Sequence, residues 1–103
     1  MSDPRPRWGF DPYTSVSMER VYQDRKYPGR AAHDDAHQWS GLSLILSREV
    51  GEAMQEIGKL QWPDDFPDEP RMHVLGLARG ELIQVAAVAV AMIERIDREV
   101  DSE

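Results

Sequence analysis

The stretch LIQVAAVAVAMI, residues 82–93, constrains the fold of this chain more than any other segment. As a helix it is apolar on nearly every side, with Gln84 as its one strongly polar residue. A single antiparallel neighbour covers only one side of such a helix, so we expect helices from two or more subunits to enclose it. The segment is also shorter than the roughly 20 apolar residues needed to cross a bilayer. We therefore predict a core helix of a soluble, oligomeric protein.

Proline and glycine divide the rest of the chain into an arm, two further helices and their connections. The proline-rich residues 1–13 should form an extended arm, and no segment shows the alternation of a strand. A first helix is expected from Thr14 or Ser15 to the Pro28-Gly29 pair, a second from a Ser40 cap to Gly58, and a third from Glu69 or Pro70 to Glu99. We predict an all-α antiparallel helical bundle over residues 14–103, completed by oligomerisation.

The second helix carries acidic side chains on its own apolar face. At about 100° per residue, Glu49 lies among Leu42, Ile45, Leu46, Ala53 and Ile57, and Glu52 and Glu56 fall on the same side. Buried carboxylates are costly unless a partner, a proton or a metal ion compensates their charge. The acids on this face therefore predict a cation that compensates their charge.

The third helix repeats the pattern. Glu81 lies in a stripe with Val74, Leu77, Val85, Val88 and Met92, and Gln84 follows one turn later. An antiparallel pair of helices would bring Glu49 and Glu52 opposite Glu81 and Gln84. Carboxylate and amide oxygens are the ligands that Mg²⁺ and Mn²⁺ prefer. Ion pairs with Arg or Lys are the alternative explanation of the same spacing.

Charge and cysteine content exclude several classes of function. The 12 basic and 19 acidic residues give a net charge of -7, which argues against a protein that binds nucleic acid polymers or anionic membranes. The absence of cysteine excludes disulfides, thiol nucleophiles and thiolate metal sites, and it suits a reducing compartment. The N-terminal residues MSDPRPRWGFDPY lack the apolar run of a signal peptide. We predict a cytoplasmic protein.

Two acidic motifs carry a resemblance to a known family. REVGE (48–52) lies on the second helix and ELIQ (81–84) on the third. With the surrounding stretches LILSREVGEAMQEI and ELIQVAAVAVAMIE, and with HDDAHQW ahead of them, the chain resembles the MazG-like all-α nucleoside triphosphate pyrophosphohydrolases over residues 18–97. That family has E-E-x-x-E followed by E-x-x-D. Here Arg48 replaces the leading Glu of the first motif, and Gln84 replaces the Asp of the second.

The resemblance implies hydrolysis between the α- and β-phosphates of a nucleoside triphosphate, which yields the monophosphate and pyrophosphate. It implies Mg²⁺ or Mn²⁺ as cofactor, with the ligands Glu49, Glu52, Glu81 and Gln84. Glu49 and Glu52 would be catalytic, together with Glu56 as the general base or an additional ligand. Because Gln84 brings no negative charge, we expect the metal to bind more weakly than in the family pattern.

The substrate contacts have both functional and structural interpretations. Asp34 or Asp35 could reach the base or ribose, and Trp39 could stack on the base or instead anchor the core. Lys59 and Arg79 could meet the outer phosphates or form ordinary salt bridges. A zinc site at HDDAH is disfavoured, since Asp34 stands where the H-E-x-x-H motif requires Glu.

Two other functions suit the same scaffold. The chain could bind nucleotides without turnover, because Arg48 and Gln84 weaken the metal chemistry. It could also be an acidic module that binds a protein partner through its long helix.

Overall fold

The structure, a computed structural model, describes residues 10–26 and 35–102. Its α-helices are α1 (Pro12–Lys26), α2 (Asp35–Gln61) and α3 (Arg71–Ser102), and a short 3-10 helix covers Pro63–Asp65. No strand occurs in these ranges. The predicted all-α class is therefore confirmed for the part of the chain that the structure describes.

The N-terminal end of α1 differs from the prediction. The carboxylate of Asp11 accepts hydrogen bonds from the backbone N–H of Thr14 (2.9 Å) and from its hydroxyl (2.7 Å). Asp11 is thus the cap, in place of Thr14 or Ser15, because its two oxygens satisfy two donors of the first turn and Pro12 needs no hydrogen-bond acceptor for its nitrogen. The helix begins two residues inside the predicted arm, whose residues 1–9 lie outside the described range.

The N-terminal end of α2 also differs. The helix begins at Asp35, so Ser40 lies inside it and does not cap it. No proline interrupts the chain between Asp35 and Gln61, and contacts with α3 extend to the first turns of α2. The indole N–H of Trp39 donates a 3.2 Å hydrogen bond to Glu99 Oε1 near the end of α3. This tertiary contact supports a longer helix than local capping signals predict.

The two long helices pair in antiparallel fashion. Near their connection, Lys59 Nζ lies 3.2 Å from Glu69 Oε2. At the opposite end, the guanidinium of Arg95 lies over the Trp39 ring, 5.6 Å from its centroid. This register places the middle of α2 beside the middle of α3.

Helix α1 packs on a second side of α3. The guanidinium of Arg79 donates to the Phe10 carbonyl (2.9 Å), and Arg20 Nε lies 2.7 Å from Glu94 Oε1. These contacts follow α3 from its first third toward its end, so α1 and α3 run in the same general direction. Polar contacts are prominent between these two helices, whereas Met18, Val21 and Tyr22 of α1 are half-exposed.

The buried core is small and consists of short side chains. Ala53, Val74, Ala78, Ala87 and Val88 are each less than 5% exposed. Short side chains let helix axes approach closely, but each of them buries little apolar area. Large aliphatic side chains remain half-exposed on both long helices. The predicted enclosure of α3 by other subunits stays a prediction.

Helix α3 is also long and apolar enough to cross a membrane, by length and composition alone. In its most apolar 18-residue window, 28% of the residues are buried inside the chain. Core helices of soluble proteins satisfy the same criterion. The sequence argument used only residues 82–93, and the full helix of 32 residues removes the objection from length. The cytoplasmic location stays a prediction.

Candidate metal centre

Three carboxylates from the two long helices meet midway along their contact. One oxygen from each of Glu49, Glu52 and Glu81 lies within 4.8 Å of the other two. Glu49 and Glu52 are three residues apart and so lie on neighbouring turns of α2, and the antiparallel register brings Glu81 of α3 opposite them. The predicted grouping of these acids therefore agrees with the geometry.

The three acids differ in burial. Glu49 is 9% exposed, Glu81 is partly buried and Glu52 is exposed. The sequence placed all three on a buried face. Glu52 is displaced by about 60° around α2 from Glu49, which puts it at the edge of the contact with α3. The cluster is therefore buried at Glu49 and open to solvent at Glu52.

The buried carboxylates are incompletely paired. Among the described residues, Oε2 of Glu49 and Oε2 of Glu81 are buried and have no hydrogen-bond partner. Within the described residues, Arg48 contacts Glu49 only weakly: its Nη2 lies 3.6 Å from Oε1, and its side chain is 67% exposed. Leaving a buried carboxylate oxygen unsatisfied costs free energy. Unpaired buried oxygen atoms are what a cation would satisfy.

The electrostatics of Glu81 reflect this crowding. Burial, followed by hydrogen bonding to Glu52 and the charges of Glu52 and Glu49, raises the pKa of Glu81 from 4.5 to about 7. Without a cation, Glu81 therefore holds a proton at neutral pH in part of the molecules. A bound divalent ion would favour its ionised form.

The dimensions suit a small divalent cation. Ligands on opposite sides of an octahedral Mg²⁺ lie about 4.2 Å apart, because each Mg–O bond is about 2.1 Å long. The oxygens of the cluster span up to 4.8 Å, so a small side-chain movement would bring them to that separation. Oxygen ligands are of the kind that hard divalent cations, among them Mg²⁺, Ca²⁺ and Mn²⁺, prefer to nitrogen or sulfur ligands.

Glu56 lies beside the cluster, one turn beyond Glu52 on α2. Its Oε1 is 3.3 Å from Lys59 Nζ, and its Oε2 is buried without a hydrogen-bond partner among the described residues. The roles of Glu56 as base or additional ligand stay predictions. In this arrangement Lys59 already neutralises part of its charge.

The predicted phosphate contacts have structural partners. Lys59 lies between Glu56 and Glu69 and over the Phe66 ring, 5.8 Å from its centroid. Arg79 donates to the Phe10 carbonyl and to Ser15 Oγ (3.3 Å). Substrate contact by either cation would require these partners to be exchanged.

The remaining predicted site residues are Gln84, Trp39, Asp34 and Asp35. Gln84 is partly buried one turn beyond Glu81. Trp39 contacts Arg95 and Glu99, about 15 Å along α2 from Glu49. Asp34 lies outside the described residues, as does the side chain of Asp35, which begins α2.

Sequence reasoning missed two residues that lie at the ends of the contact between α2 and α3. Arg95, 3% exposed, lies four turns after Glu81 on the same side of α3, and its Nε is 3.4 Å from Glu99 Oε1. Glu69 binds Lys59 from the loop. A basic residue in phase with the buried stripe of α3 was the available signal for Arg95.

Comparisons with known protein families, with characterised proteins and with solved structures found no match. The functional assignment therefore depends on the residues and geometry described above.

Proposed function

We propose that this protein is a metal-dependent nucleoside triphosphate pyrophosphohydrolase on a MazG-like bundle. The observation that carries the proposal is the Glu49, Glu52 and Glu81 cluster, in which two buried oxygens have no hydrogen-bond partner among the described residues. An acidic cluster attracts polyphosphate only when cations neutralise it, so a divalent ion and a nucleotide would arrive together.

In the proposed site, Glu49, Glu52 and Glu81 hold Mg²⁺ or Mn²⁺, and Gln84 contributes an amide oxygen. The ion supplies Lewis acidity and lowers the pKa of a bound water. Glu49, deepest in the cluster, fixes the position of the site, while the exposed Glu52 faces the incoming phosphates. Glu56 accepts the proton of the attacking water once its contact with Lys59 opens.

Other parts of the proposal concern surroundings and assembly. Trp39, Asp34 and Asp35 contact the base or ribose, and Lys59 and Arg79 contact the outer phosphates. The protein acts in the cytoplasm as a homodimer or homotetramer, without nucleic acid polymers or membranes as partners. The product is a monophosphate with pyrophosphate.

A non-catalytic nucleotide-binding protein is the second candidate. It is favoured by the engagement of Lys59 with Glu56 and Glu69, and of Arg79 with Phe10 and Ser15, since neither cation extends toward the cluster unopposed. Gln84 adds no negative charge that would strengthen metal binding. Binding without turnover is the behaviour expected of a weakened site.

The deciding experiment measures products from a panel of canonical and modified nucleoside triphosphates with the full-length protein. Reactions contain Mg²⁺, Mn²⁺ or a chelator, and chromatography separates monophosphate from diphosphate. We expect monophosphate and pyrophosphate in equal amounts, only with metal. Diphosphate and inorganic phosphate would contradict the proposed bond cleavage.

Gln84→Asp separates the two candidates. If the wild type binds nucleotide without turnover and the variant gains activity, the binding protein is the correct description. If calorimetry detects no nucleotide affinity in either protein, both candidates fail and the protein-interaction alternative remains.

A further inference from the structure

Arg48 places a positive charge beside the acidic cluster. Its Nη2 lies 3.6 Å from Glu49 Oε1, although the two residues point about 100° apart around α2. The length of the arginine side chain brings the guanidinium back to the carboxylate. A separation of 3.6 Å is longer than a hydrogen bond, and exposed ion pairs are weak. Arg48 is therefore near the cluster without being fixed to it.

Arg48 and Glu52 lie on the same side of α2. Measured from Glu49, Glu52 is rotated by roughly 60° and Arg48 by roughly 100° in the same direction. Their spacing of four residues makes them neighbours on consecutive turns. Glu52 is exposed, and the side chain of Arg48 is 67% exposed. The guanidinium therefore lies where the cluster is open to solvent.

Two residues of α3 face the same side of the helix pair. Gln84 is rotated by roughly 60° and Gly80 by roughly 100° from Glu81, in the same direction. Because α2 and α3 are antiparallel, rotations of the same sense on the two helices lead to the same side of the pair. Gly80 is exposed, and among the described residues no neighbouring element lies within 4 Å of the position that its Cβ would take. We call this side, with Arg48, Glu52, Gly80 and Gln84, the cluster opening.

The cluster opening differs in charge from the buried part of the cluster. Glu49 and Glu81 each have a buried carboxylate oxygen without a hydrogen-bond partner among the described residues. At the cluster opening, by contrast, the positive charge of Arg48 balances the negative charge of Glu52, and Gln84 is neutral. The buried part therefore suits a cation, whereas the cluster opening does not repel an anion that arrives with it.

Both departures from the acidic family pattern lie at the cluster opening. Arg48 in place of Glu changes the charge by two units, and Gln84 in place of Asp changes it by one unit in the same direction. A carboxylate at position 84 would also compete for the guanidinium of Arg48. The family pattern has Glu at position 48, so the resemblance assigns no phosphate contact to this residue.

The guanidinium of Arg48 is better placed to receive a phosphate group than the two cations considered above. Lys59 contacts two carboxylates, and Arg79 donates to two oxygen atoms. Among the described residues, Glu49 is the one acid that forms an ion pair with Arg48. A guanidinium also presents several N–H donors in one plane, which match two oxygens of a phosphate group.

We propose that Arg48 leaves Glu49 when the cluster takes up a divalent cation and then binds a phosphate group of the nucleotide. This inference rests on the proposed function and adds a substrate-binding residue to it. Arg48 and the divalent cation compete for the carboxylate of Glu49. The released guanidinium remains at the cluster opening and donates to phosphate oxygens. Arg48 therefore weakens the binding of the metal ion and strengthens the binding of the nucleotide.

Isothermal titration calorimetry of full-length Arg48→Gln tests both effects. With MgCl₂ alone, we expect the variant to bind about 2–5-fold more tightly than the wild type, the scale of a lost exposed ion pair. The second titration uses α,β-methylene analogues of ATP, GTP, CTP and UTP at saturating Mg²⁺, so that binding is measured without cleavage. For analogues that bind the wild type, the Kd should rise at least about 10-fold, the scale of a lost hydrogen bond between charged groups.

Arg98→Gln is the matched control. It makes the same change at an exposed position roughly 25 Å along α3 from Glu81, and it should equal the wild type in both titrations. If the wild type binds Mg²⁺ and an analogue, but Arg48→Gln equals Arg98→Gln in either titration, the role of Arg48 is wrong and the proposed function stands. If the wild type binds no Mg²⁺ or none of the analogues, the proposed function fails and this inference fails with it.

Arg48→Lys separates the charge of the side chain from its shape. Lysine keeps the positive charge but replaces the planar guanidinium by a single ammonium group. We expect its Mg²⁺ affinity to remain below that of Arg48→Gln, and its affinity for the analogues to lie between those of the wild type and Arg48→Gln. Mg²⁺ binding as tight as in Arg48→Gln would show that the positive charge does not compete with the ion, and it would overturn the proposed release from Glu49.

Discussion

Glu49 is the acid whose replacement tests the cluster most directly. Glu49→Gln keeps the size and burial of the side chain but removes its negative charge. We expect loss of metal-dependent pyrophosphate release by at least about 100-fold, the scale of a lost electrostatic contact to the transition state. The thermal shift produced by Mg²⁺ should decrease in parallel, while far-ultraviolet circular dichroism stays unchanged.

Asp101→Asn is the control for this prediction. It makes the same chemical change on an exposed residue of α3, roughly 30 Å along the helix from Glu81. Its activity and Mg²⁺ response should equal those of the wild type. Equal loss in both variants would show that overall charge matters and that the cluster does not.

Glu81 predicts how stability depends on pH in the metal-free protein. Its pKa is about 7 in the folded protein against 4.5 for the ordinary residue. Between these values the folded protein holds a proton that the unfolded chain has lost, so this residue's contribution to stability falls as pH rises from 4.5 to 7. Glu81→Gln stays neutral. In chelator, the melting temperature of the variant should therefore rise relative to wild type across this range and keep a constant difference above it.

The response of the melting temperature to Mg²⁺ distinguishes this electrostatic explanation from an effect on packing. At pH 8 the ion should raise the melting temperature of the wild type, because binding to the folded state stabilises it. The variant should respond much less. A difference in melting temperature that does not change with pH would mean that Glu81→Gln acts through packing alone.

At the scale of elements, Arg95 joins the start of α2 to the end of α3. It lies over the Trp39 ring and beside Glu99, with 3% of the residue exposed. Arg95→Ala removes a buried cation and its contacts. We expect the free energy of unfolding to fall by about 2–3 kcal/mol, below the 3–5 kcal/mol typical of a broken buried ion pair because Glu99 is half-exposed.

Two variants define what Arg95 contributes, with urea denaturation as the measurement. Arg98→Ala, on an exposed position nearby, should change the free energy by no more than about 0.5 kcal/mol. Arg95→Met should recover much of the loss, because apolar residues of similar size often replace buried ion pairs at little cost. If Arg95→Ala and Arg98→Ala lower the free energy of unfolding equally, Arg95 does not stabilise the contact between α2 and α3.

At the scale of the whole molecule, self-association should appear in thermal unfolding. When a folded dimer dissociates on unfolding, the melting temperature rises with protein concentration. We expect this rise for the wild type and its absence for Ile93→Glu, because Ile93 is 56% exposed on the apolar segment of α3 and a charge there would oppose burial against another subunit. The measurement is differential scanning fluorimetry at increasing protein concentrations. The control is Leu44→Glu, at a 72% exposed position of α2 about 140° around the helix from Glu49, and it should follow the wild type. A melting temperature independent of concentration would contradict coupled folding and assembly.

The helical periodicity of the sequence is sufficient to predict two features of this protein. It predicts that the chain is all-helical and that Glu49, Glu52 and Glu81 come together. Residues three, four and seven apart share a side of any helix, and a short connection makes two helices antiparallel. The relation between these acids follows from local geometry, so it survives errors of several residues in the helix ends.

The distances between side chains on different helices could be obtained only from the tertiary structure. The exposure of Glu52, the pairing of Lys59 with Glu69 and of Arg79 with Phe10, and the burial of Arg95 depend on how far each helix is rotated and shifted against its neighbours. The start of α2 at Asp35 likewise accompanies the contact between Trp39 and α3. Such contacts arise from packing between segments that are distant in the chain. The local periodicity of the sequence does not determine them.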